Sequence, residues 1–257
     1  MKAKKSLGQN FLMHARTAER IVDAAAIGKS DTVLEIGPGT GMLTAPLLSR
    51  AKRVIAVEAD AQLAEKLKEK FRAEIADRRL ELISGDIRAF DPSSIKGSYT
   101  LVANIPYYLT GEIIRDFLSA KHKPASMTLL VQKEVAERIA RSKKESILSI
   151  AVKAYGAPKY LFTVPRGAFV PAPSVDSAVI SISNIQMPFV SKKEEGRFFE
   201  VLRAGFAHKR KLLAGNLGAV AGKEAVRSAF EKAGVPEKAR AEDIALPKWR
   251  VLSEALS

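Results

Sequence analysis

The 257-residue chain has no cysteine, only three histidines and a single tryptophan. Without cysteine there is no disulfide framework, no thiolate nucleophile, and no cysteine-ligated zinc or iron–sulfur cluster. The histidines (His14, His122 and His208) are scattered and form neither a metal-ligand nor a triad pattern, so no metal is expected. Long hydrophobic runs are also missing, since none approaches the roughly 18 residues needed to span a bilayer. The N-terminus is basic but runs into Gly8-Gln9-Asn10 rather than an apolar signal core. These absences predict a soluble, cytoplasmic protein with no membrane partner. Acidic residues are the last scarcity, with 28 Asp and Glu against 42 Lys and Arg, for a net charge of +14.

That excess is concentrated. Residues 1–16, 138–166 and 201–223 carry +4, +6 and +5, leaving the rest of the chain close to neutral. A single such run reads as a solvated face; three beside a neutral remainder are the electrostatic footprint of a polyanion binder. Nucleic acid is the expected partner.

Short β-rich runs alternate with amphipathic stretches over the first two-thirds. Candidate strands are 32–36, 53–58, 80–83, 99–103 and 127–131. Between the second and third, Leu63, Leu67, Phe71 and Ile75 recur every fourth residue, which predicts one helix over 60–76. Such alternation implies βαβ units and an α/β fold around a mostly parallel sheet. Two further candidates, 160–164 and 175–182, are joined by a proline-rich loop and suit an antiparallel pair closing a seven-stranded sheet. From Glu194 onward only helical periodicity remains, with Phe198, Phe199, Leu202 and Phe206 on one face. The expected organisation is a catalytic domain over 1–186 and a small all-α domain over 187–257.

Glu35-Ile36-Gly37-Pro38-Gly39-Thr40-Gly41 links the first of these strands to a helix. Glycines there let backbone approach a ligand and leave helix N–H groups free, although an ordinary tight turn reads the same way. The spacing is G-x-G-x-G, and Met42 stands where a dinucleotide fingerprint has its third glycine. With acidic Glu35 before the loop, this favours S-adenosylmethionine over a nicotinamide cofactor, with Gly37 and Gly39 as contacts. Glu58 ends the next strand, where a carboxylate can take both ribose hydroxyls; alone it would be a solvated loop residue. Asp86 follows the third and can accept from an adenine amine.

The fourth strand ends in Asn104-Ile105-Pro106-Tyr107. A nucleobase amine is a poor nucleophile because its lone pair is delocalised into the ring. The Asn104 side-chain oxygen and the Ile105 carbonyl can accept from that amine and favour the pyramidal geometry. Pro106 would stiffen the turn, and Tyr107 would offer a face for the base. An Asn-x-Pro turn with a buried Tyr is the plain structural alternative.

With these elements in order, the chain resembles the ribosomal RNA adenine dimethyltransferases over nearly its whole length, most closely the bacterial small-subunit branch. The resemblance implies a Rossmann-like S-adenosylmethionine-dependent methyltransferase domain. Lys5-Ser6-Leu7-Gly8-Gln9-Asn10-Phe11-Leu12 is similar to the family's N-terminal motif, which implies that Asn10 and Leu12 contact the cofactor's methionine end. It also puts Gly37, Glu58 and Asp86 at cofactor positions and Asn104 between cofactor and target amine. Residues 169–179 resemble a further hallmark segment, which implies that Phe169 stacks on the flipped adenine opposite Tyr107; without the family it would be a core residue anchoring its loop. Tyr108 departs from the small polar residue or amide of many relatives. Segments 206–213 and 240–244 resemble the small-subunit branch, and Lys209-Arg210-Lys211 is expected to meet RNA phosphate. The implied reaction is dimethylation of two adjacent adenosines in the 3′-terminal hairpin loop of 16S rRNA, on the small (30S) ribosomal subunit or its precursor, by a monomer. The alternatives are a large-subunit methyltransferase conferring antibiotic resistance and a non-catalytic RNA- or DNA-binding assembly or transcription factor on the same fold.

Overall fold

The computed structural model describes residues 8–256. Lys5, Ser6 and Leu7 of the N-terminal motif, with the cations before them, lie outside the described residues. The strands are β1 (Phe11–Leu12), β2 (Thr32–Ile36), β3 (Arg53–Glu58), β4 (Leu80–Ser84), β5 (Tyr99–Asn104), β6 (Ser126–Gln132), β7 (Ala157–Val164), β8 (Phe169–Val170) and β9 (Ser177–Ser183). The α-helices are α1 (Ala15–Ala24), α2 (Thr44–Arg50), α3 (Ala61–Lys70), α4 (Arg72–Ala76), α5 (Thr110–Ser119), α6 (Lys133–Ala140), α7 (Ile147–Tyr155), α8 (Lys192–Gly205), α9 (Leu213–Ala221), α10 (Lys223–Ala233) and α11 (Leu246–Ala255). Among the described residues no helix is long and apolar enough to cross a membrane.

Seven strands form one sheet in the order β4-β3-β2-β5-β6-β9-β7. The first five are parallel, and β9 and β7 add antiparallel to β6. The inner parallel strands β3, β2, β5 and β6 are buried on both faces, whereas the edge strand β4 exposes Glu81. Ser177 to Ile180 of β9 are all buried, so both faces of the strand's first half are covered. A separate two-stranded ladder pairs β1 with β8, Leu12 opposite Phe169.

The single helix expected over 60–76 is two. Asp60 caps α3 by accepting from the Gln62 N–H, and the helix stops at Phe71, whose backbone leaves the helical region. The Phe71 ring sits beneath Gly41, where an added Cβ would come within 2.6 Å of it. Gly41 also has φ +77°, so conformation and space both require glycine there.

Contacts divide the chain into two compact units, Met1–Ala136 with Gly156–Gln186, and Glu137–Tyr155 with Met187–Ser257. A single cut after residue 186 would leave 137–155 in the first domain; their contacts put them in the second unit. Tyr155 stacks on Phe199, edges onto Phe189 and donates its hydroxyl to buried Glu195. The Arg250 guanidinium donates to the Ala154 carbonyl, and the Glu145 N–H to the Glu242 carbonyl at 2.7 Å. The amphipathic pattern of a helix specifies a buried face without naming the partner that covers it.

In the second unit α11 packs on α8 and α10, around Phe198, Leu202, Leu217, Phe230 and Trp249. Trp249 is fully buried and stacks on Phe206. A Cβ at Gly205 would lie 2.4 Å from its ring. Gly205→Ala is therefore expected to cost about 1–3 kcal/mol through overpacking. The only tryptophan of the chain is in this unit, so its fluorescence in a urea titration reads the loss directly.

Candidate active site

The chain leaves β2 for β3 on one side and later returns to place β5 on the other, so the sheet's connections reverse between β2 and β5. Open α/β sheets bind ligands beyond the carboxyl ends of their strands at such a switch point. A cleft of about 870 Å³, counted to its open mouth, lies there. That lies within the range of small-molecule sites. Gly37, Glu58, Asp86 and Asn104, which follow or end four successive parallel strands, all line it, as do Asn10, Gly39, Pro106 and Tyr107.

The glycine loop is held by a carboxylate. Glu58 accepts from the Gly39 N–H at 2.9 Å through one oxygen and from the Asp60 N–H at 2.9 Å through the other. Gly39 has φ +60°, and a Cβ would meet the Phe11 ring at 3.2 Å, so backbone conformation and a tight contact both favour glycine there. Glu58 is 4% exposed, and burial raises its pKa above the ordinary carboxylate range, outweighing the two N–H donors.

Asp86 is more open. Arg88 forks onto it, with Nε 3.1 and 3.0 Å from the two carboxylate oxygens and Nη2 2.5 Å from one. The Arg88 guanidinium holds the Asp86 carboxyl below its usual range.

Asn104 donates through Nδ2 to the Asn10 carbonyl at 3.0 Å. This bond fixes the amide, and Oδ1 accepts no hydrogen bond from the described residues, so it remains the free acceptor. Next to it the Tyr107 hydroxyl bonds Ser177 Oγ at 2.7 Å, anchoring the ring to β9. Burial raises the Tyr107 pKa, which keeps the hydroxyl neutral. Exposed Tyr108 forms part of the rim and lies against Gly8, where an added Cβ would be 3.0 Å from its ring.

Two candidates are placed elsewhere. Leu12 and Phe169 face each other in the β1–β8 ladder, each 3% exposed and within the hydrophobic core cluster, and neither lines the cleft. The ladder instead fixes the segment carrying Asn10. Glu35 also lies off the cleft: it is fully buried, and neither carboxylate oxygen has a hydrogen-bond partner among the described residues. Desolvation pushes its pKa up to about 8, against the opposing pull of the neighbouring Thr44 hydroxyl. Residues the sequence reading passed over include Gln9, whose amide donates to Asp60 at 3.3 Å, and the cleft-lining Phe11, Leu63 and Arg88. Gln9 and Phe11 stood inside the N-terminal motif; Leu63 was marked only as part of a helix's apolar face, and nothing in the sequence singles out Arg88.

The family model of the ribosomal RNA adenine dimethylases matches residues 1–256. The chain belongs to this family. It is 42% identical over 258 residues to a ribosomal RNA small subunit methyltransferase A from Dehalococcoides mccartyi, covering 98% of this chain and 88% of that relative. A protein of the same name from Clostridium perfringens is 41% identical over 260 residues, covering 98% and 90%. Among solved structures, a dimethyladenosine transferase from Plasmodium falciparum superposes with a TM-score of 0.81 at 27% identity, covering 94% of this chain and 95% of that one. The 23S rRNA methyltransferase ErmE gives 0.77 at 27% identity, covering 96% and 99%.

As an rRNA adenine dimethylase, the chain needs a surface for a folded polyanion, and the structure redistributes the basic runs. The 138–166 run is split between the two units. Lys144 pairs with Glu242 and Asp243, and Lys153 with Glu145 at 2.5 Å, so these cations serve the second unit's own packing. Lys209, Arg210 and Lys211 are exposed and have no ion pair among the described residues.

Glu35 yields a pH-dependent prediction. Its pKa rises from 4.5 unfolded to about 8 folded, so the folded state holds the extra proton. Stability is then lost as pH rises through that window. Glu35→Gln is expected to raise the thermal midpoint by several degrees at pH 8–9 and to change it little near pH 4.5. A pH series of melting curves in which the difference stays constant would contradict this origin.

Proposed function

We propose that this enzyme transfers methyl groups from S-adenosylmethionine to the exocyclic amines of two adjacent adenosines in the 3′-terminal hairpin loop of 16S rRNA. It acts as a cytoplasmic monomer on the small (30S) ribosomal subunit or its precursor. The observation that carries the chemistry is Asn104: its NH₂ is engaged by the Asn10 carbonyl, and its oxygen is the acceptor left beside Tyr107.

The cleft's residues fit the donor. Gly37 and Gly39, without side chains, allow a close approach, Glu58 and Asp86 supply acceptors for ribose hydroxyls and a ring amine, and Asn10 also lines the cleft. When bound, S-adenosylmethionine supplies an electrophilic methyl group on a sulfonium. The protein's own part is positioning. Asn104 accepts from the target amine and favours the geometry in which its lone pair is available. Tyr107, tethered by Ser177, presents a ring on which an extruded base can stack. No strong general base is required, because the amine proton becomes acidic as the nitrogen gains its methyl group. A loop adenine is poorly stacked already, which lowers the cost of extruding it. Phe169 can join the stack only by leaving the core position it holds here.

The target follows the curated relatives at 38–42% identity, which carry a small-subunit name and match 98–99% of the chain, the helical region included. Labelled S-adenosylmethionine supplied with unmethylated small or large subunits should label the small ones, on two neighbouring adenosines. Label on the large subunit would assign the chain to the other branch.

Two variants separate the roles. Glu58→Ala should weaken S-adenosylhomocysteine binding on the order of 10- to 100-fold by calorimetry, the range for hydrogen bonds to a charged group. Asn104→Ala should reduce turnover roughly 100-fold or more, as loss of one preorganised polar group does, while leaving that affinity within about twofold.

A further inference from the structure

The adenine end of the cleft is built differently from the ribose end. Glu58 is held by two backbone N–H groups that cannot move away, whereas both oxygens of Asp86 are taken by one mobile side chain. Arg88 contacts them through Nε and Nη2 as well as its backbone N–H. The pair is open to water, with the two side chains 53% and 43% exposed, so opening it costs little. Arg88 also lines a second, adjoining groove with Phe90, Ile113, Phe117 and Asp116, the last paired with Arg115 at 3.3 Å. Glu112, one turn before Asp116 on α5, acts on the Arg88 guanidinium electrostatically. The guanidinium therefore has a carboxylate-bordered place to go when it leaves Asp86.

We infer that Arg88 is a latch on the adenine subsite, competing with the ligand's ring amine for Asp86 and swinging toward the α5 groove when that amine binds. This rests on the reading of the cleft as an adenosyl site. Arg88 is a positioning residue: it touches Asp86 and sets how much of that carboxylate's acceptor strength reaches the ligand. Removing it tightens the site for ligands that bear the amine and brings no such gain to ligands without it. Salt weakens the exposed pair and so narrows the difference between the wild-type chain and a variant lacking the arginine.

Calorimetry with S-adenosylhomocysteine and with S-inosylhomocysteine, whose ring carries an oxo group in place of the amine, tests the latch. At low salt Arg88→Leu should bind S-adenosylhomocysteine about three- to fivefold more tightly than wild type, the range for releasing one exposed ion pair. Arg88→Lys, which keeps one point contact, should fall between. Neither variant should bind S-inosylhomocysteine more tightly than wild type, since an oxo group gains nothing from a bare carboxylate, and Asp86→Asn should cost more affinity in the Arg88→Leu background than alone. Equal or weaker binding of S-adenosylhomocysteine by Arg88→Leu overturns the latch while leaving the adenosyl site standing. No binding by wild type removes the adenosyl reading and the latch with it.

Discussion

The two hydrogen bonds received by Glu58 are the constraint on which the cleft depends. One carboxylate at the end of β3 ties down the Gly39 N–H in the loop after β2 and the Asp60 N–H at the start of α3. Parallel strands place these segments side by side, but a ladder stops where the strands stop. The Gly37 N–H still donates to the Val57 carbonyl at 2.9 Å, but beyond it the ladder ends and the glycines by themselves would admit many conformations. A buried acceptor aimed at backbone N–H groups removes that freedom. The strength of the arrangement comes from the burial that raises the Glu58 pKa: the same low dielectric that penalises the charge strengthens its bonds.

A second constraint runs through Asn104. Its amide bonds the Asn10 carbonyl, and Asn10 is delivered by a segment that continues directly into the β1–β8 ladder. The core residues Leu12 and Phe169 thus act at a distance from the cleft by fixing the carbonyl that orients the amide. The proposed chemistry requires the Asn oxygen to face the target amine, and nitrogen and oxygen are nearly alike in shape. Only a hydrogen-bond partner on one side distinguishes them. The second unit contributes differently, with part of its charge turned inward into pairs such as Lys144 with Asp243 and part, Lys209 to Lys211, left exposed.

Much of the site was legible because it was local. The strands ending at Glu58 and Asn104 announce themselves as short apolar runs, and the residue after each run is fixed at the carboxyl edge of the sheet by chain direction alone. What escaped was set by packing. The helix expected over 60–76 breaks at Phe71 because the ring is drawn under Gly41, a contact between positions 30 residues apart that periodicity does not record. Residues 137–155 lie between two strands of the first unit in sequence yet fasten to the second. Arg88 carried no motif; it gains meaning because its fork closes on Asp86 and its flank meets α5.

By itself the sequence determined the order of strands and helices, the glycine loop, the acidic residues at strand ends and the Asn-x-Pro-Tyr turn, since each depends on a few neighbouring residues. Tertiary structure decided which of those groups were free to act. It buried Glu35 off the cleft and Phe169 in the core, turned Asn104 by a bond to a residue 94 positions away, and neutralised two lysines of a run whose formal charge suggested docking. Exposure, partner and orientation are properties of the assembled neighbourhood, because a side chain's hydrogen bonds and solvation depend on groups that only the fold brings near it.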